Sequence, residues 1–255
     1  MKILVAIKRV VDHNVRIRVR PDGTGVETAG VRLSMNPFCK HAVEAAVQLA
    51  EAGQGGPSTE IVVVSIGPKP ATDVILTALA MGAHRGILVE TDAEFETLAI
   101  AKLLAKVVAE EQPDLVLLGK QAVDDDSNHV GQMLAALTDL PQATFASEIK
   151  IVGNGLEVTR EIDSGRETLA LPLPAVVTAD LRLNTPRNAA LPMVMKARSK
   201  PLAVRPVAEF GVDLAPRLLI EKISPPAERV AGKVVGSVAE LAAFIAADIS
   251  QMEAL

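Results

Sequence analysis

Between Leu115 and Gln132 the chain reads Leu-Val-Leu-Leu-Gly-Lys-Gln-Ala-Val-Asp-Asp-Asp-Ser-Asn-His-Val-Gly-Gln, its densest run of residue types that do chemistry. Four apolar residues, 115–118, read as a short strand buried on both faces, and Gly119 breaks the run. Lys120 offers a positive charge against a phosphate. Apolar spacing at Val130, Met133, Leu134 and Leu137 predicts a helix from about Ser127, capped by Asp126 or Ser127. A strand, a polar turn and a helix start aim free backbone N–H groups at one spot, which makes an anion site. Three carboxylates oppose an anion, so Asp124, Asp125 and Asp126 are expected to face ribose hydroxyls, cap the helix or meet solvent. Carboxylates in a row also admit Mg²⁺, although at a helix start they are more often caps. The segment has no Walker lysine–serine pair and no GxGxxG.

Other chemistries find no constellation. The four histidines (His13, His41, His84, His129) are scattered, no Cys/His metal spacing exists, and no serine sits in a nucleophile elbow. The expectation is a binding protein without a catalytic site of its own.

The elements that must position this loop follow from periodicity. Lys2 to Lys8 is a first buried strand, and Asn14 to Arg20 alternates apolar and basic residues like a half-exposed strand. Asn36 and Pro37 open a helix through about Ala52, as N-cap and first helical residue. Strands at 60–66 and 86–89 alternate with helices at 71–81 and 94–111. This order predicts an α/β fold with a doubly wound, mostly parallel, Rossmann-like sheet. After Pro141, segments 143–152, 156–162 and 166–171 read as antiparallel strands joined by Gly-rich turns, and 175–179 returns to a buried strand. Pro186, Pro192, Pro201 and Pro206 punctuate a long irregular section, and Ser237 caps a last helix from Val238 to about Met252. The division expected is an α/β nucleotide-binding domain over 1–222 and a C-terminal arm over 223–255.

Composition bounds the class. With 255 residues, 49% of them hydrophobic, and a net charge of −5, the chain can build a core and carries no global basic signature for nucleic acid. No apolar run approaches the roughly 18 residues that cross a bilayer, so membrane insertion is not expected. One cysteine, Cys39, excludes an internal disulfide and fits a reducing compartment. A strand beginning at Lys2 leaves no room for a signal or transit peptide, so a bacterial cytoplasm is the expected location. With five Phe and neither Trp nor Tyr, the chain offers little aromatic surface on which to stack a flavin by itself.

Four segments together resemble the β subunit of electron transfer flavoproteins, and they span most of the chain. They are Val5-Ala6-Ile7-Lys8-Arg9-Val10-Val11-Asp12; Ser34-Met35-Asn36-Pro37-Phe38-Cys39; the loop 119–133 continuing through Pro141 to Ser147; and Thr159 to Gly165 with Leu173 to Asn184. The resemblance implies a heterodimer with an α subunit that carries the redox-active FAD, while the β subunit buries an AMP for structure and assembly. It also implies electrons arriving from acyl-CoA and related dehydrogenases and leaving to a membrane electron transfer flavoprotein–quinone oxidoreductase. By the family pattern, AMP contacts fall at Ala6, Asn36, Pro37, Phe38, Cys39 and Ile66. They continue along the loop at Gly119, Lys120, Gln121, Ala122, Val123, Asp124, Asp125, Asp126, Ser127, Asn128, His129 and Val130. Asn36 and nearby backbone groups would read the adenine edge, and the helix near Ser127 would receive the phosphate. His13 stands where some relatives place a tyrosine at the flavin edge; a histidine there would titrate near neutrality and favour an anionic reduced flavin.

Bifurcating relatives bind a second FAD in place of AMP, with small residues where this chain has Asp125 and Asn128; those side chains favour the smaller ligand. A universal-stress-like nucleotide-sensing domain is the alternative from another class, and it leaves the segment after Pro141 unexplained. The apolar and basic stretch 189–200 resembles the loop that anchors partner dehydrogenases, with Leu191 inserted, Met195 in the same docking cluster and Lys196 and Lys200 on the rim. Arg160 and Glu161 resemble residues near the α subunit, and the C-terminal helix is expected to dock on that subunit.

Overall fold

The structure, a computed structural model, describes residues 1–229 and 231–252. In chain order the elements are β1 (Lys2–Ile7), β2 (Arg9–Val11), β3 (Leu33–Met35), α1 (Pro37–Glu51), β4 (Glu60–Gly67), α2 (Thr72–Met81), β5 (Arg85–Glu90), α3 (Thr97–Glu111) and β6 (Leu115–Gly119). Then come α4 (Val130–Thr138), β7 (Gln142–Val152), β8 (Gly155–Ile162), β9 (Gly165–Pro172), β10 (Ala175–Ala179), α5 (Leu191–Ala197), β11 (Leu202–Pro206) and α6 (Val238–Met252).

One sheet of nine strands carries the fold, in the order β11-β5-β4-β1-β6-β10-β7-β8-β9. From β11 to β7 neighbours run parallel, and β7, β8 and β9 form an antiparallel meander. The central strands are apolar throughout because helices cover both faces. Ile3, Val5, Leu115 and Leu117 point into a core shared with α1 and α2, while Leu4, Val116 and Leu118 point into one shared with α3 and α4.

Several boundaries differ from those the sequence predicts. Residues 14–20 form no strand; only Val19 bridges to Val26, and Ile17 is exposed. An alternating segment with no third strand or helix to cover its apolar side cannot hold a ladder. Pro192 and Pro206 mislead in the opposite direction. Pro192 lies in the first turn of α5, where proline is tolerated, and Pro206 ends β11 at the sheet edge, where its missing N–H costs little. The section expected to be irregular therefore holds a helix and a parallel edge strand.

The last helix begins where expected. Ser237 Oγ accepts from the Glu240 N–H at 3.2 Å, as an N-cap does, and Glu240 Oε2 accepts from the N–H of Gly236, the residue before the cap, at 2.9 Å. Its apolar residues Leu241, Phe244, Ile245 and Ile249 stay exposed.

Candidate functional site

The winding reverses between β1 and β6. From β1 the chain moves by α1 to β4 and β5, and α3 then returns it across the opposite face to β6, on the other side of β1. Where adjacent strands send their connections opposite ways, a crevice opens at their C-terminal ends. Lys8 follows β1 there, Gly119 ends β6, and Asn36 stands at the head of α1.

These three segments are bonded to one another. Asn36 is wholly buried, and its backbone N–H donates to the Lys8 carbonyl at 2.9 Å. Its side chain does not cap α1. Nδ2 donates to the Gln121 carbonyl at 2.8 Å and to Cys39 Sγ at 3.2 Å, and Oδ1 accepts from the Val123 N–H at 3.2 Å. The amide is thus engaged within the chain, and Asn36 shapes the loop rather than presenting a free edge-reading group. Gly119 allows the close approach this needs: a Cβ there would lie 2.7 Å from Phe38 Cβ and 2.8 Å from the Cys39 nitrogen. Cys39 is fully buried, and burial pushes its thiol pKa up, so it is a packing residue rather than a nucleophile.

The loop after Gly119 differs from the simple turn and helix start predicted. Asp126 and Asn128 both have φ of 52°, a left-handed conformation that Asp and Asn tolerate, and it delays the helix to Val130. Neither Asp126 nor Ser127 is the N-cap; His129 occupies that position and makes no side-chain cap bond. The aspartates have other partners. Lys8 Nζ bridges Asp124 Oδ1 and Asp125 Oδ2, both at 2.9 Å. Asp125 Oδ1 also accepts from the Ser127 N–H and hydroxyl, Asp126 accepts from Gln121 Nε2 and donates its N–H to the Ala122 carbonyl, and Asn128 Oδ1 accepts from Gln132 Nε2. No cluster of metal-holding residues occurs among the described residues.

Burial would lower the Lys8 pKa, but the two carboxylates outweigh it and hold the amine above its ordinary value. Burial would likewise raise Asp125, but Lys8 and Ser127 hold its carboxyl below the usual range. Lys120 is also matched. It pairs with Asp180 at 3.2 Å and lies 4.9 Å from the centre of the Phe145 ring. With both lysines paired, Lys120 is not a free charge for a phosphate, and an anion here would depend on backbone N–H groups at the helix starts.

Of the remaining predicted positions, some lie at the crevice and others away from it. Ala6 is buried in β1, Ile66 lies near the end of β4, and Pro37 and Phe38 form the first turn of α1. His13 sits apart on an exposed turn, 3.9 Å from Asp12 and 3.3 Å from the Asn14 amide. Arg160 pairs with Glu167 across the β8–β9 ladder and lies over Phe145, while Glu161 meets Arg166 and Arg182. Leu191 and Met195 are exposed on α5. Lys200 is not on a rim: it turns back, donating to the Leu79 and Ala83 carbonyls at 2.8 and 2.6 Å.

Sequence reasoning missed Lys8 and Phe145 as site residues. Lys8 had a usable signal, a cation directly after a buried strand in a parallel sheet. Phe145, at φ 62°, accepts a bond from no side chain; its N–H donates to Thr178 Oγ1 at 3.0 Å across a bulge, and no local pattern announces that.

Comparison with known proteins places this geometry. A family model described as electron transfer flavoprotein domain matches residues 24–210. A Bradyrhizobium diazoefficiens protein, "Electron transfer flavoprotein subunit beta", is 57% identical over 241 residues, covering 94% of this chain and 96% of its own length. The human protein of that name is 52% identical over 247 residues, covering 95% and 96%, and the Arabidopsis thaliana mitochondrial one 52% over 243 residues, covering 94% and 96%.

Proposed function

This chain belongs to the electron transfer flavoprotein β-subunit family, and from that premise we propose that it buries AMP as a structural ligand in the β1–β6 crevice. The observation that carries the reading is the loop 119–129, held at the crevice by the Asn36 amide and the Lys8 bridge. The residues from Ala6 to Val130 named above would surround the nucleotide. With Lys8 and Lys120 each matched by carboxylates, backbone N–H groups are left to hold the anion, which suits one phosphate better than a triphosphate. The side chains of Asp125 and Asn128 are folded into the loop, which favours AMP over a second FAD.

In this reading the chain is an electron-carrier subunit with no catalytic site of its own. An α subunit holds most of the FAD, and the β chain completes the flavin's surroundings, with His13 toward its edge. Electrons come from acyl-CoA and related dehydrogenases docked through Leu191, Met195 and Lys196, and go on to a membrane quinone oxidoreductase. Residues 1–222 form the nucleotide-binding body and 223–255 the arm that packs on the α subunit, with Arg160 and Glu161 near that interface. No described helix is long and apolar enough to cross a membrane. A bacterial cytoplasm remains the location we propose.

An absorption spectrum of the purified chain, with mass spectrometry of the acid-released ligand, tests this. The chain has no Trp or Tyr, so an ultraviolet band belongs largely to ligand. Adenine absorbance with AMP released supports the proposal. Flavin bands from this chain alone would overturn it in favour of a bifurcating subunit.

A further inference from the structure

Between β10 and β11 the chain leaves the sheet as a strap whose ends are tied by polar contacts while its middle, α5, packs along α2 and keeps Leu191 and Met195 exposed. Asn184 Nδ2 donates to the His41 carbonyl on α1 at 2.9 Å. Arg187 spans two turns of the same helix. Its Nε and Nη2 reach the Glu44 carboxylate at 2.9 and 3.0 Å, its Nη1 and Nη2 reach Glu51 at 2.6 and 2.8 Å, and its backbone N–H donates to Glu44 at 3.1 Å. At the other end Lys200 donates to the Leu79 carbonyl in the last turn of α2 and to the Ala83 carbonyl just past it. Between these ties Leu191 is 73% exposed and Met195 66%.

Glu44 is only 2% exposed, and a carboxylate that deep in an apolar layer needs a matched cation. A guanidinium forked across two carboxylates fixes direction as well as distance, which an ammonium does not. Helix α5 has seven residues, too few to hold its own shape, and meets the core through Ala197. It also packs along α2, and the strap ends fix how it is turned on that helix.

We propose that the Arg187–Glu44–Glu51 clamp is a positioning device that presents Leu191 and Met195 to the partner dehydrogenase in a fixed orientation. This rests on the docking reading given under the proposed function. A surface ordered in advance spares binding the cost of ordering it. Arg187 contacts no partner itself; it acts through α5.

The test uses the complete heterodimer and electron transfer from an acyl-CoA dehydrogenase, comparing Arg187→Ala, Arg187→Lys, Glu51→Gln and Leu191→Ala. Arg187→Ala is expected to raise the KM for the flavoprotein about tenfold, near 1.4 kcal/mol of lost binding, with kcat almost unchanged. Amide exchange over 188–197 should accelerate while β1 and β6 stay protected. Arg187→Lys should recover part of the loss, and Glu51→Gln, at the exposed end of the clamp, should give a smaller effect in the same direction if Arg187→Ala does not fold. A lower melting temperature with KM and strap exchange both unchanged would overturn the proposal. If Leu191→Ala raises KM and the clamp variants do not, the clamp fails and the docking reading stands. If Leu191→Ala leaves KM unchanged, the docking reading falls and the clamp's role falls with it.

Discussion

The buried amide of Asn36 donates to the carbonyl oxygen of Gln121 across 2.8 Å, joining the head of α1 to the loop after β6. The same side chain accepts from the Val123 N–H, so one residue satisfies two backbone groups of a loop 85 positions away. Asn36→Ala leaves those groups without a partner, each a cost of about 1–3 kcal/mol where water cannot reach. The expected outcome is a chain destabilised by roughly 2 kcal/mol or more that retains little AMP after purification. Asn36→Asp keeps the acceptor for Val123 and loses the donor for Gln121, so it should fall between. Urea unfolding together with nucleotide content checks both, and wild-type AMP content in Asn36→Ala would refute the clamp.

Gly119 is needed for lack of a side chain rather than for backbone freedom. A methyl group there would meet the Phe38 Cβ and the Cys39 backbone nitrogen, neither of which can swing aside. Gly119→Ala must therefore push β6 and α1 apart at the crevice, an overpacking cost of about 1–3 kcal/mol. The urea midpoint should drop with an unchanged slope. A variant as stable as the parent would mean that the helix yields at no cost.

The parallel core was legible because its strands are buried on both faces and leave continuous apolar runs, as Leu115–Leu118 does. The loop's true shape was not. Asp126 and Asn128 turn left-handed and delay α4, and residues that merely tolerate that conformation do not announce that they adopt it. Pro192 and Pro206 look like breakers in the sequence, yet position in the first helical turn or on a sheet edge makes them harmless. The family resemblance places Lys200 on a docking rim, whereas a helix end distant in the chain takes its ammonium.

The Lys8 bridge makes a pH prediction. The Asp125 carboxyl is held below its ordinary value of 3.8, so its stabilisation is complete above 3.8 and fades as pH falls toward the lowered value. Lys8 is held above its ordinary 10.5, so its share is complete below 10.5 and fades as pH climbs through the raised value. Between those limits the bridge should be flat in pH. Both side chains are more than a third exposed, so the contribution stays below about 1 kcal/mol. In Lys8→Gln the acid limb of a stability-against-pH curve should lose this step. An unaltered acid limb would show that Ser127 alone sets the carboxyl.

The C-terminal arm yields the sharpest separation of roles. Leu218, Leu219 and Ile220 are exposed before it, and α6 turns Phe244, Ile245 and Ile249 outward. Contiguous apolar surface of this kind on a folded chain marks a site that something covers. The crevice, by contrast, is built from residues before 181, with Phe145 and Asp180 beside Lys120. A chain ending at residue 222 is therefore expected to fold and keep AMP, because β1, β6, α1 and the loop are intact. It should also fail to form the heterodimer, eluting alone when mixed with the α subunit while the full chain co-elutes. Loss of AMP on truncation would instead tie the arm to the nucleotide site. Retention of the heterodimer would move the interface back to the meander around Arg160 and Glu161.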